Sequence, residues 1–236
     1  MPILFVEDNS GKHITKQELN YDKKHAGIFD NMREVWNDKN FRVLVIVELI
    51  YWFPQKIFVV AVPYIVAALL QLDNVYTAII LYSVGIASLV MYPLIDKLVD
   101  KYGKKKVMQS ALLCLLISFS FTATIGLYKI PTMAFVVVYV LVNTYPTAVL
   151  GILPMALAGD NAEHDFRKTG IAKNASYFGL KTFMMKIGVA LTSLIFPSLL
   201  LLGKTPANPF GVRMVAVACV VSSLLAYVVM RKYKDV

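Results

Sequence analysis

The chain has 236 residues, of which 58% are hydrophobic and only 17% charged. A soluble domain is typically about half apolar and about a quarter charged, and here the apolar excess sits in long blocks, which excludes a disordered chain and argues against an ordinary water-soluble domain. A net charge of +9 suggests nucleic acid at first sight, but the charges form no basic face with interleaved aromatics.

Residues 1 to about 40 are polar and charged. The opening Met1–Val6 is too short for a signal-peptide core and has no basic region before it. Residues 7–27 read as a flexible, soluble lead-in. From about 28 to 38, Ile28, Phe29, Met32, Val35 and Trp36 recur at helical spacing between Asp30, Arg33, Glu34 and Asp38. That pattern predicts a short amphipathic helix on the membrane surface or against a partner.

Six apolar blocks follow, at about 43–71, 75–97, 106–128, 131–157, 174–202 and 210–230. A helix rises 1.5 Å per residue, so roughly 20 residues cross a hydrocarbon core of about 30 Å, and each block is long enough. The blocks lack the two-residue alternation of a barrel strand. The expected fold is therefore all-α: a lead-in over 1–42, six transmembrane helices over 43–230, and a tail over 231–236. Cys114 and Cys219 lie inside apolar blocks, where they read as small buried hydrophobes.

The connections alternate in charge. The lead-in through Arg42, the second-to-third and fourth-to-fifth connections and the tail together carry 18 Lys or Arg. The opposite side has three, Lys129, Lys204 and Arg213. This bias predicts that both termini face the cytoplasm, in a multi-pass protein of the cell membrane whose partners are lipid and not nucleic acid.

Between the second and third helices runs Asp96-Lys97-Leu98-Val99-Asp100-Lys101-Tyr102-Gly103-Lys104-Lys105-Lys106. Gly103 permits the reversal, and Asp100 is placed to pair with lysines or to face a helix N-terminus. A solvated, positive-inside turn would look the same. The stretch resembles the loop motif of the major facilitator superfamily, with Asp96 where the usual form begins with Gly.

A second stretch carries a closer resemblance. Asp160, Glu163, Lys168, Thr169 and Gly170, then a helix with Tyr177, Phe178, Thr182 and Lys186, are similar in order and spacing to the second half of the glycoside–pentoside–hexuronide:cation symporters, the melibiose-carrier branch. His164 stands where Tyr is usual and Ala172 where Arg is usual. Trp36-Asn-Asp-Lys-Asn-Phe41 resembles that family's central cytoplasmic loop. The resemblance covers about residues 28–230. It implies one half of a major facilitator fold, made of two inverted three-helix repeats.

Four charged residues fall inside the predicted helices. A charge at bilayer depth costs at least about 2.5–3.5 kcal/mol on insertion scales, so each needs a partner or water. Lys186 is deepest, with Thr182 one turn before it on the same face. Either the two line an aqueous cavity, or Lys186 snorkels or pairs structurally. Lys181, nearer the helix end, reads as a snorkelling lysine. Glu48 and Lys56, eight residues apart in the first helix, read as sharing a face and pairing with other helices. Asn143 precedes Pro146 in the fourth helix, and Trp52 and Gln55 flank Pro54 in the first. Each set is either a cavity lining or an ordinary proline kink with packed neighbours.

No catalytic constellation of a soluble enzyme is present: there is no Gly-x-Ser-x-Gly, phosphate-binding glycine loop or His-Glu-x-x-His. The expectation is transport, not catalysis, with no metal site and no cofactor beyond a coupling cation, sodium or proton. The resemblance implies that Lys186 and Thr182 contact a sugar, with Trp52, Gln55 and Asn143 as further candidates. It implies cytoplasmic ion pairs among Asp96, Asp100, Lys101, Lys105, Asp160, Glu163, Arg167 and Lys168 that hold one conformation closed. It also places the cation-binding acids largely in a first half that these residues do not cover, so the expected partner is that N-terminal half or a second copy of this chain. A non-transporting scaffold or regulatory half-subunit is the competing expectation.

Overall fold

Backbone amides find no water in hydrocarbon, so an apolar run of membrane length satisfies them internally by folding as a helix. All six blocks do so in the computed structural model, which describes residues 28–125 and 131–235. The helices are α1 (Ile28–Asn37), α2 (Lys39–Tyr64) with a π-helical extension (Ile65–Leu70), α3 (Val75–Tyr102), α4 (Lys104–Ala123), α5 (Thr132–Thr169), α6 (Asn174–Leu200) and α7 (Phe210–Met230). The expected flexible lead-in before residue 28 and the end of the third block beyond residue 125 lie outside the described residues.

The amphipathic helix and the first span are separate because of Asp38. Its carboxylate accepts from the backbone N–H groups of Asn40 and Phe41, an N-cap that starts α2 afresh. Val35 is buried, and Met32 and Trp36 pack against the core, so α1 lies on its own bundle.

Two helices run past their expected ends. α3 continues through Tyr102, so Asp96, Lys97, Asp100 and Lys101 sit on helical turns, and the reversal is left to Gly103 at φ 85°. α5 continues through Thr169, carrying Asp160, Glu163, Asp165, Arg167 and Lys168 on helix where a connection was expected. Its 38 residues span roughly 57 Å, well beyond a hydrocarbon core of about 30 Å. A helix must be apolar only where lipid surrounds it. Beyond that depth, polar side chains carry it on, helped here by the Glu163–Arg167 pair one turn apart.

The six spans form two triplets, α2–α3–α4 and α5–α6–α7. α2 packs on α6 and α7 of the other triplet, and its counterpart α5 packs on α3 and α4; α4 and α7 pack on each other. Exchanging the triplets leaves this pattern unchanged, as inverted repeats require. α3 and α6 are the least covered spans, with 22% and 17% of their apolar windows buried. α2 and α6 cross closely at Gly188, where a Cβ would stand 2.7 Å from the Leu49 carbonyl oxygen and 3.1 Å from the Trp52 Cβ. A methyl there forces two backbones apart. Gly188→Ala is therefore expected to destabilise the detergent-solubilised chain by about 1–3 kcal/mol. Gly179→Ala, one helix face away in open space, is expected to be neutral or slightly stabilising in the same thermal-unfolding assay.

Candidate functional site

The α2–α6 seam holds most of the polar chemistry at bilayer depth. Glu48 is fully buried, and its Oε1 accepts from Lys181 Nζ at 2.8 Å and from Trp52 Nε1 at 3.2 Å. Lys181 therefore does not snorkel: it reaches inward to the one acid within range, and its side chain is only 10% exposed. Glu48 and Lys56 do not share a face either. Eight residues advance a helix by two turns and about 80°, and this offset buries Glu48 while leaving Lys56 exposed.

Thr182 and Lys186 project from the bare side of α6, one turn apart. Lys186 lies about 18 Å along the helix from Asn174. Neither Lys186 nor Lys56 makes an ion pair or hydrogen bond among the described residues. Trp52 sits beside the Gly188 crossing, and Gln55 follows on the next turn of α2 with its Oε1 enclosed and without a hydrogen-bond partner. Four of the five expected substrate residues thus belong to two neighbouring helices. Asn143 does not join them. It is fully buried between α5 and α4, its Nδ2 donating to Ser118 Oγ at 2.7 Å and to the Tyr139 carbonyl at 2.8 Å. The bond to Ser118 is the cross-helix partner a buried amide needs, while its Oδ1 is enclosed without a hydrogen bond among the described residues.

The ends of the spans that carry most of the lysines and arginines are brought together, though not by the expected pairs. Asp160 takes Lys104 at 2.6 Å, which ties α5 to α4. Glu163 pairs with Arg167 on its own helix. Asp96, Asp100, Lys101 and Lys168 are exposed and make no ion pair among the described residues. Lys105 donates to the Arg231 carbonyl, which holds the tail against the α3–α4 turn. An open cleft of about 520 Å³ lies between α5 and α6 here, lined by Asp160, Glu163, Phe166, Asn174 and Phe178.

Two features at this end were not visible in the sequence reading. Asn40 bonds Asn161 and the Lys234 backbone, and Asn161 bonds the Tyr233 hydroxyl, so the tail is anchored. Burial pushes the Tyr233 phenol up to about 12, and it stays neutral. Lys173 is the second feature. Only 7% exposed, it pairs with Glu34 of α1 at 2.7 Å and with Asp165 of α5 at 3.3 Å. The available signal was its position just before α6, where the helix dipole disfavours a cation unless acids surround it.

Burial lowers the Lys173 pKa, but Glu34 and Asp165 outweigh burial and hold it above the ordinary lysine value. A raised value means the latch is fully formed below the ordinary lysine range and is lost only as pH climbs past the raised one. At neutral pH, Lys173→Met is expected to speed limited proteolysis within α1 several-fold by releasing it from the bundle. Arg167→Ala, which removes one member of a pair whose side chains are 74% and 61% exposed, is expected to change stability by less than about 1 kcal/mol.

Comparison with known proteins bears on this geometry. The family model described as MFS/sugar transport protein matches residues 3–230. No curated protein and no solved structure matches. A bundle of six membrane-length helices in two exchangeable triplets, matched over nearly its whole length by that model, belongs to the MFS/sugar transport protein family.

Proposed function

We propose that this chain forms one wall of a cation-coupled sugar symporter and works by rocking against a second six-helix half, so that a shared site opens to each side in turn. The observation that carries the reading is the bare face of α6. Lys186 and Thr182 project there at mid-depth with no counter-charge among the described residues, and Lys56 projects likewise from α2. An ammonium facing lipid costs about 2.5–3.5 kcal/mol, so a face bearing one reads as the wall of a wet cleft and not as a lipid contact.

In that cleft the Lys186 ammonium and Thr182 hydroxyl bind sugar hydroxyls, Trp52 offers a ring for stacking, and Gln55 has an acceptor without a donor. The facing wall is the N-terminal half of such a transporter or a second copy of this chain. The coupling ion is sodium or a proton. The cation-rich ends lie in the cytoplasm of the cell, as their share of the Lys and Arg residues supports. There Asp160 with Lys104, Glu163 with Arg167, and the unpaired Asp96, Asp100, Lys101 and Lys168 supply charges for closing against the second wall.

In vesicles where uptake of a sugar is established, Lys186→Met is expected to lower uptake about tenfold or more with membrane insertion intact. This follows from the loss of a charge-assisted hydrogen bond of about 1.5–3 kcal/mol, since 1.4 kcal/mol is a factor of ten. Unchanged uptake removes Lys186 from the site. A membrane-impermeant amine reagent added outside cells is expected to label Lys204 and to leave Lys106 and Lys232 unmodified. The opposite labelling reverses the assigned orientation.

A further inference from the structure

We infer that Glu48, in the α2–α6 seam, is a proton-binding site of this chain. The carboxylate is fully buried within a membrane span, and its two oxygens have unequal surroundings. Oε1 accepts from Lys181 and Trp52. Oε2 is enclosed and makes no hydrogen bond among the described residues. The charged group facing the carboxylate from α6 is Lys181, and the titratable group beside it on its own helix is Tyr51, whose hydroxyl interacts with the carboxylate without completing a hydrogen bond to Oε2. Among the described residues, no charged side chain of α5 or α7 pairs with it.

A pair meant only to hold two helices together would have both oxygens satisfied, because a half-satisfied ion pair in a dry interior loses the Coulombic gain to desolvation. Here the ammonium favours the carboxylate form, while the exclusion of water and the bare Oε2 favour the acid. A proton on Oε2 needs no existing bond to break. It removes the negative charge, so the Lys181 bond to Oε1 loses its charge assistance and weakens; the proton arrives from water and returns to it, and no covalent bond other than that O–H changes.

The location gives that step a consequence. Residues 181–188 of α6 carry Lys181 and Gly188 toward α2 and Thr182 and Lys186 toward the open face. Protonation of Glu48 removes the ion pair of the seam and leaves the Gly188 crossing and the Phe41–Tyr177 and Tyr64–Phe196 ring contacts, so the two turns of helix that present Thr182 and Lys186 lose their charged tie to α2. The link from proton to solute rests on the proposed function; the binding of the proton does not.

The test is infrared difference spectroscopy of the full chain in lipid vesicles, titrated with pH. A carboxylic-acid carbonyl band that appears on acidification is expected in the wild type and absent in Glu48→Gln. In Lys181→Met, which keeps the carboxyl and removes the ammonium, the same band is expected at higher pH. In Glu48→Asp it is expected at a different frequency. Those two variants decide the matter if Glu48→Gln does not fold. A wild-type spectrum without a titrating band, or a band that is identical in all the variants, overturns the inference. In vesicles carrying a solute, proton entry accompanying the solute is expected to fall at least tenfold in Glu48→Gln, and unchanged proton entry overturns the coupling. If the wild type carries no solute, the transport reading fails while the infrared titration still decides the proton site.

Discussion

Four charged side chains sit at bilayer depth, and the protein treats them in two ways. Glu48 and Lys181 neutralise each other in the seam between α2 and α6. Lys56 and Lys186 are exposed and pair with nothing among the described residues. Because a charge in hydrocarbon costs several kcal/mol whichever way it points, this division sorts the surface of the bundle. Faces without charge, such as that of Leu191, Leu194 and Ile195 on α6, suit lipid. The face of Thr182 and Lys186 on the same helix does not. One helix therefore has a greasy side and a charged side, and the proposed cleft would give the charged side a use.

Much of the fold was legible because the bilayer enforces a length. Twenty apolar residues without water have few alternatives to a helix, so the six spans fall where the apolar blocks fall. The ends were less legible for the same reason. Once a helix leaves lipid, hydropathy no longer marks it, and the acids and bases that read as a connection after residue 157 instead prolong α5 by three turns. Capping chemistry set the real limits, with Asp38 starting α2 and Gly170, at φ 69°, ending α5.

The candidate site was legible in its residues and not in their partners. Lys186, Thr182, Trp52 and Gln55 could be singled out one at a time as polar groups in apolar helices. Which acid meets which base is a tertiary fact. Glu48 and Lys181 lie 133 positions apart, and nothing local in either helix announces the other. The helix period does rule out a common face for Glu48 and Lys56, and applying it strictly separates the buried acid from the exposed base. Asn143 shows the limit of the approach: a buried amide beside a proline serves a cavity and a helix contact equally well in sequence, and Ser118 on the neighbouring helix decides where it bonds.

The two kinds of contact in the molecule suit a body that moves as a unit. Inside the bundle, the helix pairs that join the triplets rely on backbone approach and enclosed bonds: Gly188 against Leu49, Asn143 to Ser118, Glu48 to Lys181. Shielded from water and salt, such contacts keep their strength as the surroundings change. At the cation-rich end the ties are more exposed. Asp160–Lys104 is about a third exposed, Glu163–Arg167 is mostly exposed, and Glu34 is more than half exposed opposite Lys173. Exposed pairs contribute about 0–1 kcal/mol and exchange partners readily. A bundle that is dry and closely packed within, and rimmed with exchangeable charges at one end, can tilt against a neighbour and re-pair its rim without repacking its core. Glu48 is the internal contact that departs from this pattern, because a fully buried carboxylate there keeps one oxygen without a hydrogen bond among the described residues.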